Sequence, residues 1–470
     1  MDSEHDRPAA ARLHDGTPPA DAFDTRDPQA WLALDQEVRE DAFRHGPASP
    51  STRSLILRGS DPVDHGEASA ALALCHRDGR VRERTLERAA AYPNLLPLVA
   101  IRCTDWVEPV RSRARQLLRE ALDIGTAVRL APLLLLLGRR GRGAAGLALL
   151  HETLAPATAE QLAPLLEGTD RTARRFAHRL AVAQGLLPPL ALARTAVRGD
   201  DTVVQNLCAE AAFTTAGPGE EDEVIATLLS ARDPGVRSAG VTALRRSGRP
   251  EEAEHFLTDR SGLVRACARY VLRQHGTDPR ALYLAHLRTP DDPSLPPAAA
   301  VGLAECGDRS DADLLRRLLV HPVPAVRART VAGLRLLDSA EAGRLWPLLD
   351  DPSAAVVREV AVTLLPAAGE LPQDALTERL GPGLPRHVRA AAFRLLHRVG
   401  GVVRLRAATA LLDDPDARLR RRAEAAVQQW SPSEQVPWGS AEVGELLDRS
   451  GHLLSPYVLD RRKREAGLRS

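Results

Sequence analysis

Lysine is nearly missing from this chain of 470 residues, because Lys463 is the only one among its 63 lysines and arginines. P-loops, Schiff-base sites and Ser-x-x-Lys pairs each need a lysine at a fixed place, so residues 1–462 can form none of them. The nucleophile-elbow pattern Gly-x-Ser-x-Gly is also missing. The sequence therefore supports no catalytic residue, and we expect a protein without catalysis of its own.

Cysteine is scarce and scattered. The five cysteines are Cys75, Cys103, Cys208, Cys267 and Cys306, and no Cys-x-x-Cys pair occurs among them. Wide separation without paired spacing is typical of small apolar side chains in a reducing compartment, and not of a disulfide framework or a zinc site. We expect no structural metal.

Long apolar runs are also missing. The longest, around residues 131–137, is far shorter than the ~20 residues that cross a bilayer. The first thirty residues are acidic and lack the apolar core of a signal peptide. We therefore expect a cytoplasmic protein that does not bind membranes.

Aromatic residues make up only 3% of the chain, although 44% of it is hydrophobic. This balance favours helices packed through Ala, Leu and Val. The 63 basic residues are matched by 62 acidic ones, for a formal charge of +1. Few stacking platforms and no net positive field both weaken a nucleic-acid role.

One landmark recurs along most of the sequence: a short turn, then Val-Arg or a close variant at the start of an apolar-periodic segment. Successive landmarks lie 28 to 32 residues apart, most often 31. A fixed period of this size predicts an array of one helical unit, each copy unable to bury its apolar face alone. The landmarks are Arg82, Arg111, Arg142, Arg174, Gln205, Arg237, Arg265, Pro296, Arg327, Arg358, Arg389 and Arg420.

A single copy shows the plan of the unit. Residues 342–349 carry an apolar stripe at helical spacing, and the turn Asp350-Asp351-Pro352-Ser353 follows. A second stripe, which includes Val356, Val360 and Leu364, predicts a second helix. Asp and Pro suit the start of that helix, because Asp accepts free amide hydrogens and Pro fits the first turn.

Asp-Pro-x-Val-Arg at the start of the second helix of a pair resembles the HEAT repeat, and the 31-residue period is similar to the short HEAT-like units of bilin lyases. The resemblance covers about residues 62–430. The Trp-Leu-Gly-Tyr and Thr-Pro-Leu-His signatures of tetratricopeptide and ankyrin units, whose periods are ~34 and ~33 residues, are missing. The resemblance implies an all-α fold, a right-handed α-solenoid of about twelve antiparallel helix pairs.

The resulting domain prediction has four parts. Residues 1–26 are expected to be a disordered acidic segment. Residues 27–61 are expected to contain a capping helix for residues 62–430, the repeat array, because the end faces of an array are otherwise exposed. Residues 431–470 are expected to form a C-terminal cap and a basic tail.

Several landmark arginines follow an acid by a few residues, as in Asp170 with Arg174. In the HEAT family that the chain resembles, such side chains form a ladder between neighbouring repeats. We therefore assign a structural role, as ladder residues, to Arg111, Asp170, Arg174, Asp233, Arg237, Arg265, Arg327, Asp351, Arg358, Arg389, Asp414 and Arg420.

The remaining arginines of the second helices are candidates for a partner surface. The resemblance implies that these helices line a concave side. The predicted function is a protein-binding scaffold or adaptor, and the candidate surface residues are Arg113, Arg115, Arg269, Arg273, Arg329 and Arg394.

Two alternatives stay open. One is nucleic-acid binding, similar to the HEAT-like alkylpurine DNA glycosylases, which place an acid near aromatic residues in a basic groove. The adjacent pair Asp105-Trp106 fits that description. The other is a chaperone activity like that of the bilin lyases, which depends on the resemblance alone.

Two local motifs suggest cofactor chemistry that their context does not support. Gly141-Arg142-Gly143-Ala144-Ala145-Gly146 matches the dinucleotide pattern, but its position in the repeat predicts a turn and a second helix, without the preceding strand that the pattern needs. His151-Glu152 begins like a zinc-protease helix, but Ala155 stands where the second histidine is required. We expect no cofactor.

Two copies depart from the landmark. Gln205 replaces the arginine in one, and Pro296-Pro297 replaces Val-Arg or its neighbour in the other. Proline is tolerated in the first helical turn, so each copy can still start a helix without its ladder arginine. We expect the array to be softer, or to change curvature, near residues 288–298.

Overall fold

A computed structural model describes residues 7–45, 66–432 and 436–468, and of residues 41–45 it describes the backbone only. Within these ranges every regular element is helical and no β-strand occurs. The all-α prediction is confirmed. None of the described helices is both long and apolar enough to cross a membrane.

The chain divides into two compact units, residues 1–239 and 240–470, with the boundary inside one helix. The helices up to and including that one are α1 Ala9–His14, α2 Pro19–Ala22, α3 Pro28–His45, α4 Glu67–Cys75, α5 Gly79–Arg88, α6 Leu96–Arg102, α7 Glu108–Ala121, α8 Ile124–Leu137, α9 Ala144–Leu154, α10 Ala159–Leu166, α11 Arg171–Ala183, α12 Pro189–Arg198, α13 Thr202–Thr215, α14 Glu221–Leu229 and α15 Pro234–Arg246.

The rest of the second unit is also helical. Its α-helices are α16 Gly262–Gln274, α17 Pro279–His286, α18 Pro297–Ala304, α19 Ala312–Arg317, α20 Pro324–Leu336, α21 Ala342–Leu345, α22 Ala354–Leu364, α23 Gln373–Glu378, α24 Arg386–Val399, α25 Gly401–Ala410, α26 Ala417–Gln428, α27 Ala441–Arg449 and α28 Pro456–Glu465. Short 3₁₀ helices interrupt both units, the longest at Pro250–Thr258.

In the first unit, helices pack against those that follow them in sequence. Helix α5 contacts α4 and α7, helix α11 contacts α10 and α13, and α12 contacts α13 and α14. Their inner sides form an apolar core, in which Leu74, Leu98, Leu118 and Leu150 are fully buried. The small side chain of Ala131, also fully buried, shows how Ala lets neighbouring helices approach closely.

The second unit follows the same sequential pattern. Helix α20 contacts α18 and α22, helix α22 contacts α24, and α26 contacts α25. Its core contains Leu315, Val331, Val360, Leu395 and Leu405, all fully buried. The low aromatic content is consistent with this kind of core, because Leu, Val and Ala fill most of the space between helices.

Aspartate residues explain where many of these helices begin. Asp78, Asp170, Asp201 and Asp416 each stand just before a helix, and their carboxylates accept backbone N–H groups of its first turn. Those N–H groups have no partner inside the helix, so a capping side chain fixes the first residue.

Nine of the twelve landmarks occupy one fixed position in a second helix. Arg82, for example, is the fourth residue after the capping residue Asp78, and Arg327 is the fourth after Val323. Arg111, Arg174, Gln205, Arg237, Arg265, Arg389 and Arg420 occupy the same position.

Three landmarks need correction. Helix α22 starts after Ser353, so Val357 occupies the fourth position and Arg358 is one residue too late. Because Val356 and Val357 are adjacent, the Val-Arg pattern placed this landmark one residue too late. Helix α9 starts after Gly143 and α18 after Pro296, so Arg142 and Pro296 lie before their helices.

Gly143 shows why α9 starts where it does. A Cβ atom at this position would lie 2.0 Å from the carbonyl oxygen of Leu137, so only glycine lets the turn pass so close to the end of α8. The leucine run before it is helical, as α8, and not a strand. The geometry required by the dinucleotide motif is therefore not present.

The two ends of the chain are more ordered than expected where they are described. Residues 7–26, expected to be disordered, contain α1 and α2, because Leu13 and Ala22 are buried against neighbouring helices. Residues 1–6 and 46–61 of the predicted N-terminal segments lie outside the described residues. Helix α3 contacts α4, α6 and α8.

The predicted basic tail belongs to helix α28. Its Arg462 is 6% exposed and donates to the carbonyl oxygens of Val427 and Gln428, at the end of α26. Arginine there satisfies carbonyl groups that the last turn of a helix leaves without partners.

Candidate functional site

The landmark side chains bind the turn that precedes their own helix. Arg82 Nη1 donates to the carbonyl of His76, six residues earlier, and Arg327 Nη1 does the same to His321. These carbonyls close the preceding helical segment and would otherwise lack a partner. The same contact, six residues back, joins Arg111 to Asp105, Arg174 to Gly168, Arg237 to Ala231, Arg265 to Asp259 and Arg420 to Asp414.

Gln205 keeps this contact although it is not an arginine. Its Nε2 donates to the carbonyl of Gly199, six residues earlier, at 2.9 Å, and to that of Ala196 at 3.1 Å. Arg389 departs slightly, because it donates to Pro382 and Leu384, on either side of the usual position.

Among the described contacts, three landmark arginines each bind an aspartate of the next turn through two parallel hydrogen bonds. Arg82 binds Asp105 through two hydrogen bonds of 2.8 and 2.9 Å. Arg327 binds Asp351 through two of 2.8 Å. Arg389 binds Asp414 at 2.9 and 3.0 Å. Parallel hydrogen bonds from one guanidinium to one carboxylate are strong and directional.

Each of these aspartates is held by its own turn as well. The backbone N–H two residues later donates to the carboxylate, from Val107 to Asp105, from Ser353 to Asp351 and from Asp416 to Asp414. The carboxylate therefore connects a second helix to the start of the next one. We call Arg82–Asp105, Arg327–Asp351 and Arg389–Asp414 the three rungs.

The other predicted ladder residues have different contacts. Asp170 and Asp233 cap their own helices by accepting backbone N–H groups. Arg174 binds Asp200, whose side chain is 72% exposed, and Arg265 binds Glu305 near the end of α18. Arg111 and Arg420 have hydrogen bonds only to backbone carbonyls among the described residues.

Arg358 does not join the ladder contacts. Its side chain is exposed and makes no hydrogen bond or ion pair within the described parts of the chain. The physical reason is its register: Val357 points into the core at the position where Arg327 and Arg389 reach their aspartates.

The candidate partner surface divides into engaged and free arginines. Arg115 donates to the carbonyl of Cys103, and Arg269, 8% exposed, binds Glu305 at 2.5 Å. Arg273, Arg329 and Arg394 are exposed, and Arg113 is half-buried. The side chains of these four residues make no hydrogen bond or ion pair inside the described ranges.

A charged cluster that sequence reasoning missed lies where α3 meets the first rung. Arg102 binds Asp35 of α3 at 2.5 Å and Asp105 at 3.3 Å, and Arg39 of α3 binds Asp35 at 3.0 Å. The pair Asp105-Trp106 was the signal in the sequence. Its neighbours could not be predicted, because α3 lies more than sixty residues earlier in the chain.

Trp106 lies beside this cluster, and the residue is 56% exposed. The guanidinium carbons of Arg39 and Arg82 lie 4.5 and 4.6 Å from the ring centroid, within the range of cation–π attraction. An open cavity of about 760 Å³ lies next to it, lined by α3, the end of α6, the following turn and Arg140.

Asp105 is fully committed to this network. Burial raises the pKa of its carboxyl group, but hydrogen bonds from Arg82 and from the Val107 N–H, with the charges of Arg102 and Arg82, outweigh burial and lower the pKa below its ordinary value. Because two arginines hold its carboxylate, Asp105 is a poor general base. The geometry therefore does not support the role that an acidic residue has in the glycosylases.

Burial also shifts the pKa values of several cysteine and histidine side chains among the described residues. Burial raises the pKa of Cys208 to about 11 and that of Cys103 to about 12, which makes these thiols unreactive. Burial also lowers the pKa of His178. No group of three or more His, Cys, Asp or Glu side chains suited to a metal ion occurs in the part of the chain that the structure describes.

Comparison with known proteins does not assign this site: no family model matches the chain, and no curated protein matches it.

Proposed function

We propose that this protein is a protein-binding scaffold or adaptor, built as a HEAT-like solenoid and without catalysis of its own. The observation that supports it best is the use of the landmark arginines. In the three rungs they join one second helix to the turn before the next, so at these three places a helix pair is tied to its neighbour by a buried or half-buried ion pair. Regular ties between neighbours are what a repeat scaffold needs.

Sequential packing within each unit also supports the solenoid. Second helices contact the second helices that follow, as α5 with α7 and α20 with α22. A helix that packs mainly on its sequence neighbours leaves its remaining sides to solvent, and stacked helices then provide an extended surface for a partner.

The arginines that the ladder does not use would contribute to partner binding. Arg273 on α16, Arg329 on α20 and Arg394 on α24 are exposed on alternate second helices. Arginine is enriched at protein interfaces because its planar head forms several hydrogen bonds and stacks on aromatic rings. An acidic partner is the complement of these side chains.

We propose a cytoplasmic location for the same protein. All five cysteines are free, and three of them are buried among apolar side chains. Free, buried thiols are common where glutathione keeps cysteine reduced.

Nucleic-acid binding remains the second candidate, because the same exposed arginines could neutralise phosphates. Duplex DNA titrated at low and raised salt separates the two functions. Phosphate contacts lose affinity steeply with salt, by ~10³–10⁵ between 50 and 200 mM for 6–10 contacts. We expect no measurable duplex binding at low salt, and salt-sensitive tight binding would replace our proposal with the second candidate.

The positive test is a complex of defined stoichiometry. The full-length chain, used as bait, should retain one protein in a fixed ratio through size-exclusion chromatography. Arg273→Gln, Arg329→Gln and Arg394→Gln combined should weaken that complex, whereas Arg358→Gln, equally exposed and without partners, should not. The absence of any stoichiometric protein would contradict the scaffold function.

A further inference from the structure

The cavity beside the first rung has the features of a binding pocket. Its walls come from three parts of the first unit. Helix α3 contributes Gln29, Gln36 and Arg39, and the turn before α9 contributes Arg140. The end of α6 and the turn after it contribute Arg102, Thr104, Asp105 and Trp106. We call it the Trp106 pocket. Its volume, about 760 Å³, is large enough for several side chains of a ligand.

The charges around the pocket are not balanced. Arg39, Arg82, Arg102 and Arg140 stand against three carboxylates, Asp35, Glu40 and Asp105, so these seven side chains carry one positive charge in excess. Four of these side chains are 14% exposed or less. Among the described residues, the cation without a partner side chain is the exposed guanidinium of Arg140, and an incoming carboxylate can form a charge-assisted hydrogen bond with it.

The rung itself does not need this excess. Arg389–Asp414 has the same two-point geometry with one guanidinium and one carboxylate. Arg39 and Arg102 are therefore additions found at the first rung. Part of Arg102 is also unsatisfied, because its buried Nε has no hydrogen-bond partner among the described residues, although the side chain lines the pocket.

Arg140 and Trp106 supply the open side of the pocket. The side chain of Arg140 is exposed and makes no hydrogen bond or ion pair within the described ranges, so its guanidinium is available to a ligand. The indole of Trp106, more than half exposed, offers an apolar face next to these cations. Aromatic and arginine side chains together are typical of the residues that contribute most to protein binding.

The other wall residues decide the class of ligand. Asp35, Asp105 and Glu40 also line the pocket, so a polyanion such as nucleic acid would meet three carboxylates. A single carboxylate avoids them, and the amides of Gln29 and Gln36 can pair with the peptide groups on either side of it. This pattern favours a polypeptide segment.

We propose that the Trp106 pocket binds an acidic segment of the partner protein, with one Asp or Glu carboxylate facing Arg39 and Arg140 and an adjacent apolar group against Trp106. This inference rests on the proposed scaffold function and assigns its partner's chemistry. The binding step is a reversible docking in which a peptide carboxylate replaces water at the two guanidinium groups.

The test uses the acetylated and amidated peptide Gly-Gly-Glu-Leu-Gly-Gly, called the Glu peptide, with Gly-Gly-Gln-Leu-Gly-Gly as the uncharged probe. Titration of the full-length chain, followed by calorimetry and by tryptophan fluorescence, should show saturable binding of the Glu peptide only. Arg140→Gln should weaken it about tenfold, the effect of losing one charge-assisted hydrogen bond. Arg142→Gln, in the same turn but outside the pocket, is the matched control and should change affinity less than about twofold.

The outcomes separate this inference from the scaffold function. Equal loss in Arg140→Gln and Arg142→Gln, or no saturable binding of the Glu peptide, would overturn the pocket assignment. If a stoichiometric partner still binds both variants equally, the scaffold function stands and only its docking site is elsewhere. Unchanged thermal unfolding of Arg140→Gln, expected for an exposed side chain, assigns any loss to binding.

Discussion

An arginine at the fourth position of a second helix does two things at once. Its Nη1 binds the carbonyl of its own turn, while Nε and Nη2 bind the aspartate of the next turn, as in Arg82 and Arg327. The rigid fork of arginine supplies donors in both directions, whereas lysine offers one compact ammonium group. This requirement gives a physical reason for arginine at these positions in a chain with a single lysine.

The rung at Asp351 can be tested against its neighbour in sequence. Asp351 is 7% exposed and binds Arg327 twice, whereas Asp350 binds Arg379 with its side chain 48% exposed. Asp351→Ala should lower the free energy of unfolding by ~3 kcal/mol, because it leaves a half-buried guanidinium unpaired. Asp350→Ala should cost at most ~1 kcal/mol, the value typical of exposed pairs.

Urea unfolding followed by circular dichroism measures both variants. Similar losses for Asp350→Ala and Asp351→Ala would show that the rung is an ordinary surface pair, without a special part in joining helix pairs.

At the scale of the helices, the sequence predicted most of the second helices but not their register. Valine followed by arginine marks the third and fourth positions in several second helices, as at Val326-Arg327. In α22 the sequence is Val356-Val357-Arg358, and the core takes both valines, which pushes the arginine to the surface. Burial of two apolar side chains outweighs one ion pair, and a pattern cannot show which alternative wins.

The candidate site was less predictable than the helices. Asp351 and Asp414 could be named because they precede a second helix in the sequence, but Asp105 was noticed only for its neighbour Trp106. Arg39 and Asp35 could not be named, because their place depends on how α3 packs on α6 and α8. Contacts between distant segments follow from tertiary packing, about which local periodicity carries no information.

Close helix packing makes a second prediction at this scale. Tyr283 of α17 lies against Gly302 of α18, so closely that a Cβ atom at residue 302 would be 2.4 Å from the tyrosine ring. Tyr283 cannot easily move, because it is fully buried and its hydroxyl donates to the carbonyl of Leu257. Gly302→Ala should therefore lower the free energy of unfolding by ~1–3 kcal/mol through overpacking.

Gly343 provides the matched control. It also lies in a helix, α21, but no atom lies within 4 Å of the position that its Cβ would take. Gly343→Ala should be neutral or slightly stabilising, since alanine favours the helix. Chemical denaturation of the two variants decides, and a Gly302→Ala variant as stable as the parent would refute the close contact of α17 and α18.

For the whole molecule, buried histidines make stability depend on pH. Burial is the largest cause that lowers the pKa of His76, His178 and His397. Their stabilising contribution is complete above the unfolded pKa of about 6.5 and is lost as the pH falls below it, since the unfolded chain binds protons more readily. Thermal unfolding between about pH 7.5 and 5 should therefore show a falling midpoint.

His178→Gln checks the cause. The His178 ring binds the carbonyl of Arg174 at 2.9 Å through Nδ1, a contact that a glutamine amide can replace without titrating. The variant should lose part of the pH dependence that the parent protein shows. A midpoint independent of pH in the parent protein would contradict the assignment.

The rungs predict that damage stays local. If stability is the sum of helix-pair terms and contacts between neighbours, loss of one rung weakens the helices on either side and leaves distant ones unchanged. Asp351→Ala should therefore speed amide hydrogen exchange in α20 and α22, which flank the rung, and less in α24. Helices α8 to α13, in the other compact unit, should exchange as in the parent.

Asp350→Ala, with its exposed pair, supplies the baseline for substitution in the same turn. An equal increase along the whole chain would instead indicate one cooperative fold, in which helix pairs have no separate stability and the ladder does not act between neighbours.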